Sequence, residues 1–158
     1  MSVNTKTVEG RRKLRFNSLD DILADLDGLE GKPLKTLGNW SAGQILAHLA
    51  VPMNGAIDGM KFAPPWYIRL MARVFKRQFL NGTMPAGFKL PKEAEKELYP
   101  GPTSVEDGFA MVRKGIHRLK TETHREPSPV MGPLTTDEWN KVNCRHCELH
   151  LSFILPEA

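Results

Sequence analysis

Two cysteines among 158 residues are too few for a disulfide scaffold. No apolar run approaches the roughly 20 residues that a membrane span needs. The opening stretch Met1–Phe16 carries charge but leads into no apolar core of a signal peptide. Lys and Arg number 22 against 18 for Asp and Glu, and this excess of four is too small to imply nucleic acid by itself. Strand signals are scarce, because no stretch alternates apolar and polar residues with β-branched enrichment. There is no internal repeat and no low-complexity tract. A soluble cytoplasmic protein with reduced thiols is the expectation, without nucleic acid and without a membrane span. The length argues for one domain, large enough to bury a core without staples. The boundaries read as a flexible basic N-terminus over 1–13 and a single helical domain over 14–156.

What the chain does contain is helix starts. Ser or Thr followed three residues later by an acid or amide is the capping box, in which each side chain satisfies a free backbone N–H of the other's residue. The pattern occurs at Ser18/Asp21, Ser41/Gln44, Thr103/Glu106 and Thr135/Glu138. Apolar residues spaced three or four apart follow each one, as in Ile45, Leu49 and Met53. Gly28, Gly31 and Pro33 close the first helix, and Pro127, Pro129 and Pro133 fill the connection before the last. Pro156 is read as the end of the final helix. The fold class is therefore all-α, a bundle of four main helices.

Between the second and third of these helices lies a long crossover. Pro64-Pro65 opens a segment, Trp66 to Leu80, that reads as an extra helix with prolines at its first turn. Residues 81–102 follow with Gly82, Pro85, Gly87, Pro91, Pro100, Gly101 and Pro102, and read as irregular apart from a turn of helix through Lys92–Leu98. Such a connection can run the length of a bundle and let the second and third main helices lie parallel. Loops of this length in compact domains are usually functional or mobile.

Chemistry concentrates on histidines that fall where a core should be. In the last helix His146 and His150 are four residues apart, on the row that also carries Val142 and Phe153. Two imidazoles so placed can share one metal ion. No glutamate directly follows His146, so this is not the metalloprotease helix. In the second helix His48 shares the inward row of Ile45 and Pro52. A lone histidine there would usually be a satisfied core residue. Three on two helices are expensive to bury without partners, whereas a shared divalent cation satisfies them all. Three protein ligands with one open position is the catalytic arrangement rather than the closed structural one.

The remaining candidates carry blander readings. Cys144 and Cys147 lie about 200° and 100° round the helix from His146, off the histidine row, so both read as core or boundary residues. A thiol near enough to His146 to be oxidised or to join the metal is the alternative. His117 and His124, among Lys114, Arg118, Lys120 and Arg125, read as solvated residues near a helix C-terminus. Glu148 is left out of the site because it points off the row. The helix Trp66–Leu80 carries Arg69, Arg73, Lys76 and Arg77 with no acid. It reads first as a covering helix with a charged face, and otherwise as the lining of a pocket for an anionic substrate. An amphipathic basic helix can also lie on a membrane or bind an acidic partner.

The stretch Trp40-Ser41-Ala42-Gly43-Gln44-Ile45-Leu46-Ala47-His48-Leu49-Ala50 resembles the second-helix signature of the DinB-like superfamily. His146-Cys147-Glu148-Leu149-His150 is similar to its late His-X-X-X-His. Arg15-Phe16-Asn17-Ser18-Leu19-Asp20-Asp21 and Phe153-Ile154-Leu155-Pro156 resemble an uncharacterised branch of it, of the DUF1569 type. The resemblance covers roughly residues 14–156. It implies a four-helix bundle in up-down-down-up order and a divalent metal held by His48, His146 and His150. Its characterised members include thiol-dependent S-transferases, a thiol-dependent isomerase and metal-dependent hydrolases, so it bears on the site more than on the reaction.

The expectation is a metal-dependent enzyme, a thiol S-transferase or a hydrolase, acting on a small molecule. The ion would be Zn²⁺ or Ni²⁺, since imidazole ligands exclude neither, and the substrates could include a low-molecular-weight thiol. The alternative is a metal-binding or small-molecule-binding bundle without catalysis, with a homodimer as one form it could take.

Overall fold

The computed structural model describes residues 2–88 and 92–157; the expectation of irregular chain at Pro91 lies outside them. The described residues are mostly helical, with seven helices and one small ribbon. The helices are α1 (Leu19–Leu29), α2 (Ala42–Asp58), α3 (Trp66–Val74), α4 (Lys76–Asn81), α5 (Lys92–Leu98), α6 (Val105–Thr121) and α7 (Thr136–Leu151). Among the described residues no helix is long and apolar enough to cross a membrane.

Three of the four caps form as the spacing predicts. Ser18, Ser41 and Thr135 each accept from the backbone three residues on, and Asp21, Gln44 and Glu138 reach back to close the box. The fourth shifts by one residue. Ser104, not Thr103, caps α6 by accepting from the Asp107 N–H at 3.1 Å, while the Thr103 hydroxyl turns back to the Gly101 carbonyl. Two neighbouring hydroxyl residues can each offer a cap, and only one can occupy the extended position before the first turn.

Two other expectations are corrected. The segment 66–80 is two helices rather than one, because Phe75 at φ −97°, ψ 17° leaves helical geometry and breaks it into α3 and α4. The final helix does not reach Pro156. It ends at Leu151, and Ile154–Pro156 forms a strand, β2, antiparallel to β1 (Leu34–Thr36). Thr36 lies opposite Ile154 and Leu34 opposite Pro156, and the Leu37 N–H extends the ribbon by bonding the Phe153 carbonyl at 3.0 Å. The pairing joins segments far apart in the chain, and a position at the end of an edge strand suits a proline that has no ladder N–H to give.

The core fills the space between the long helices. Ile22 and Leu26 of α1, Leu46, Leu49 and Met53 of α2, Val112 and Ile116 of α6, and Trp139 and Leu151 of α7 are all fully buried. Relative directions follow from neighbours. Gly43 sits against Ser104, Gly108 against Leu46, and Gly115 against Met53, so α2 and α6 run parallel. Arg113 pairs with Asp27 and Glu30, and Lys120 with Asp20, so α1 opposes α6. His48 meets His146, while Ala56 and Trp139 both bond Glu126, so α7 opposes α2. A parallel α2/α6 pair requires the long crossover. Their close approach requires glycine: a Cβ on Gly108 would lie 2.8 Å from Leu46 Cβ and 3.0 Å from the Gly43 carbonyl.

Candidate metal centre

The histidines stand where the two opposed helices α2 and α7 meet. His48 is buried in mid-α2, and His146 and His150 occupy successive turns of α7, both partly buried. One nitrogen from each lies within 4.8 Å of those of the other two. The ring centroids form a near-equilateral triangle, 4.9 Å for His48–His146 and 4.6 Å for the other two pairs. The ring planes cross at 63° to 81°, so the imidazoles meet edge to face around a common centre rather than stacking.

The residues fit a metal ion on three counts. First, the Nδ1–H of His48 donates to the Leu98 carbonyl at 2.6 Å. A carbonyl can only accept, so Nδ1 carries the proton and the neutral ring keeps its lone pair on Nε2. That Nε2 lies 3.0 Å from Nε2 of His146. Backbone orientation of a ligand's distal nitrogen is the usual outer support of a metal-binding imidazole. Second, three imidazoles cannot satisfy one another, and Nδ1 of His146 is buried without a hydrogen-bond partner. Third, all three rings are held neutral, the form that coordinates. Burial lowers His48, although the Leu98 carbonyl works against it. Burial, then His150 and His48, pushes His146 well below the ordinary histidine range. Burial, then His48 and the Arg11 charge, pushes His150 down to about 3.

Several surroundings of the triad carried no signal in the sequence. Leu98 belongs to α5, docked by the Lys61 N–H donating to the Glu97 carboxylate and by Gln44 donating to the Pro100 carbonyl at 3.4 Å. Trp40, just before the α2 cap, stacks on His150 at 5.8 Å with planes 17° apart, touches His48 at 4.8 Å, and meets Tyr99 edge-on. The β1/β2 ribbon joins the segment before Trp40 to the chain just after α7, which places that ring over the site. Arg11 lies against the end of α7, donating to Ser152 Oγ and stacking over Phe153 at 4.3 Å. Trp40 was visible as part of the α2 motif, but nothing local tells where its ring will lie.

The other candidates fall elsewhere. His117 and His124 are exposed, and His124 pairs with Glu126 at 2.6 Å. Cys144 and Cys147 are free thiols in the core. Burial lifts Cys144 to about 11 and Cys147 well above the ordinary thiol value, so neither is a ready nucleophile. Glu148 is buried and turned toward the N-terminal segment, accepting the Phe16 N–H at 2.6 Å and pairing with Arg145 at 2.8 Å. Arg145 in turn donates to the Phe16 carbonyl. Among the described residues no fourth His, Cys, Asp or Glu joins the triad. The cluster could hold a metal ion with three imidazoles.

The family model described as "Protein of unknown function (DUF1569)" matches residues 8–157. No curated protein and no solved structure matches the chain.

Proposed function

The chain belongs to the DUF1569 family, and on that footing we propose that it is a divalent-metal-dependent enzyme acting on a small molecule, with His48, His146 and His150 as the protein ligands. The observation that carries this reading is the convergence of three neutral imidazoles within 4.8 Å, without a fourth donor among the described residues. A structural site would be closed by a fourth protein ligand, whereas a three-ligand site leaves room for a reactant. The directions of the long helices, α1 and α7 one way and α2 and α6 the other, are those that the DinB-like resemblance implies. They support placing the chain in that superfamily.

A bound ion would act as a Lewis acid, lowering the pKa of a nucleophile beside it. Zn²⁺ and Ni²⁺ both suit imidazole nitrogen. Leu98 fixes the tautomer of His48, and burial keeps the three rings neutral at physiological pH. Trp40 covers one side of the site, its ring against His48 and stacked over His150. Arg11 brings a positive charge to the edge of the triad, which favours an anionic reactant.

Between thiol transfer and hydrolysis, the DinB-like resemblance favours thiol transfer; among the described residues no Asp or Glu joins the three histidines as a ligand. A thiol, with an ordinary pKa of about 8.5, ionises at neutral pH with far less help than water. We read the nucleophile as an exogenous low-molecular-weight thiol, because Cys144 and Cys147 are buried in the core.

The test uses the purified full-length protein loaded with Zn²⁺ or Ni²⁺. It is assayed with a panel of small thiols against electrophiles, and separately with ester and amide substrates. The expected result is thiol consumption that needs the metal and is lost in His146→Ala. Stoichiometric metal without turnover of any thiol or hydrolytic substrate would favour the non-catalytic bundle.

A further inference from the structure

The crossover helix α3 leaves most of its apolar side chains exposed, unlike an ordinary surface helix. An amphipathic helix on a protein normally turns its apolar stripe inward and its charges outward. In α3 the inward contact is made by Ala72, the one buried residue of the helix, with Ile68 beside it partly buried. At 100° per residue, Trp66 and Leu70 lie about 160° and 200° round from Ile68, on the side facing away from the bundle. They are 74% and 53% exposed. Val74 at 65% and Tyr67 at 55% extend the same patch. Contiguous exposed apolar surface of this kind marks a contact site rather than ordinary surface.

Charge determines what covers it. Between Asp58 and Glu93 the chain has no acidic residue, while Lys61, Arg69, Arg73, Lys76, Arg77, Lys89 and Lys92 are all basic. Lys76 is paired, to Glu138 at 2.8 Å. Arg69 and Arg73 flank the apolar patch, both exposed, with the Arg73 guanidinium resting along the backbone at Gly132. Among the described residues neither has a carboxylate within ion-pair distance. A second copy of this chain would set this positive patch against its own like charge if the contact were symmetric. An anionic lipid surface answers both features at once. Trp and Tyr are the residues that favour the headgroup layer, apolar side chains enter the acyl boundary, and arginines bind the phosphates.

We propose that α3 is an interfacial membrane-binding helix, which docks the protein on anionic lipid through Trp66, Tyr67, Leu70 and Val74, with Arg69 and Arg73 on the headgroups. This surface is separate from the histidine triad and stands whether or not the protein is an enzyme.

The experiment is sedimentation of the full-length protein with vesicles of phosphatidylcholine, alone or mixed with anionic phosphatidylglycerol. The anionic vesicles should carry the protein down at least tenfold better, and added salt should weaken the binding. Trp66 is the most exposed tryptophan, Trp139 being buried and Trp40 only partly exposed. Tryptophan emission should therefore shift to the blue on binding, and Trp66→Phe should abolish the shift. Arg69→Gln and Arg73→Gln should each weaken binding about fivefold, from roughly 1 kcal/mol per basic residue at such a surface. Trp66→Ser with Leu70→Ser should remove binding while metal content and circular dichroism stay unchanged. Equal binding to both vesicle types, or none to either, overturns the proposal without recourse to variants. So does a wild-type dimer that the Trp66→Ser/Leu70→Ser pair converts to monomer, since the patch would then be a subunit interface.

Discussion

Lowering the pH on the metal-free protein should expose the cost of holding the triad neutral. A histidine whose native pKa lies below its unfolded value leaves stability untouched above the unfolded pKa, near 6.5. As pH falls beneath that value the unfolded chain takes up a proton that the folded ring refuses. Stability is then lost at about 1.4 kcal/mol per pH unit until the folded pKa is reached. For His150 that window runs from 6.5 down to about 3. At about pH 5, some 1.5 units into the window, His150 alone costs about 2 kcal/mol. His146, pushed well below the ordinary value by burial and by the two neighbouring rings, acts in the same direction. A loss of about 2 kcal/mol from His150 is already a large part of the roughly 5–15 kcal/mol that holds a domain folded. The assay is guanidinium unfolding of chelated protein at about pH 7.5, 6 and 5, with His150→Gln beside the wild type. The variant should lose about 2 kcal/mol less than the wild type between the extremes. Carboxylate titration affects both proteins alike and cancels in the comparison. Parallel losses would refute the reasoning, because His150 would then titrate in the folded protein as it does in the unfolded one.

Gly43→Ala should destabilise by about 2–3 kcal/mol in the same unfolding assay, because its Cβ would meet the Thr103 and Ser104 backbone. Gly28→Ala, with open space at its Cβ, should instead stabilise by up to about 1 kcal/mol through helix propensity. Adding Ni²⁺ should quench part of the tryptophan emission, since Trp40 lies against His48 and His150; Trp40→Phe should lose that quenching. Glu148→Gln should cost about 3–5 kcal/mol, measured by denaturation, because Arg145 would keep its buried charge without a carboxylate to balance it.

What the sequence discloses about this fold is mainly what is local. The cap residues at Ser18, Ser41 and Thr135 act within one turn, so their spacing alone locates three of the four long helices. The His146/His150 pair is legible for the same reason, as residues one turn apart share a face. His48 joins them by its inward register on another helix, which periodicity supplies without saying which helix it faces. What escapes is set by distance along the chain. Residues 34–36 pair with residues 154–156, and no local strand signal marks either end. Leu98 reaches His48 through a backbone carbonyl, which has no side-chain signature. Arg11 and Arg12 read as charges on a flexible segment. Their bonds, to Ser152 and to Asp25, Leu151 and Ile154, depend on how the ends of α1 and α7 come together. The break at Phe75 is likewise invisible, since neither glycine nor proline stands there.

The central claim is that His48, His146 and His150 together hold one divalent ion. Elemental analysis of the full-length protein after Zn²⁺ or Ni²⁺ loading and removal of free metal tests it directly. The account predicts one ion per chain, lost in His48→Ala, His146→Ala and His150→Ala and retained in His117→Ala. An ion kept at full stoichiometry by all three ligand variants, or no ion in the folded wild type, would contradict it.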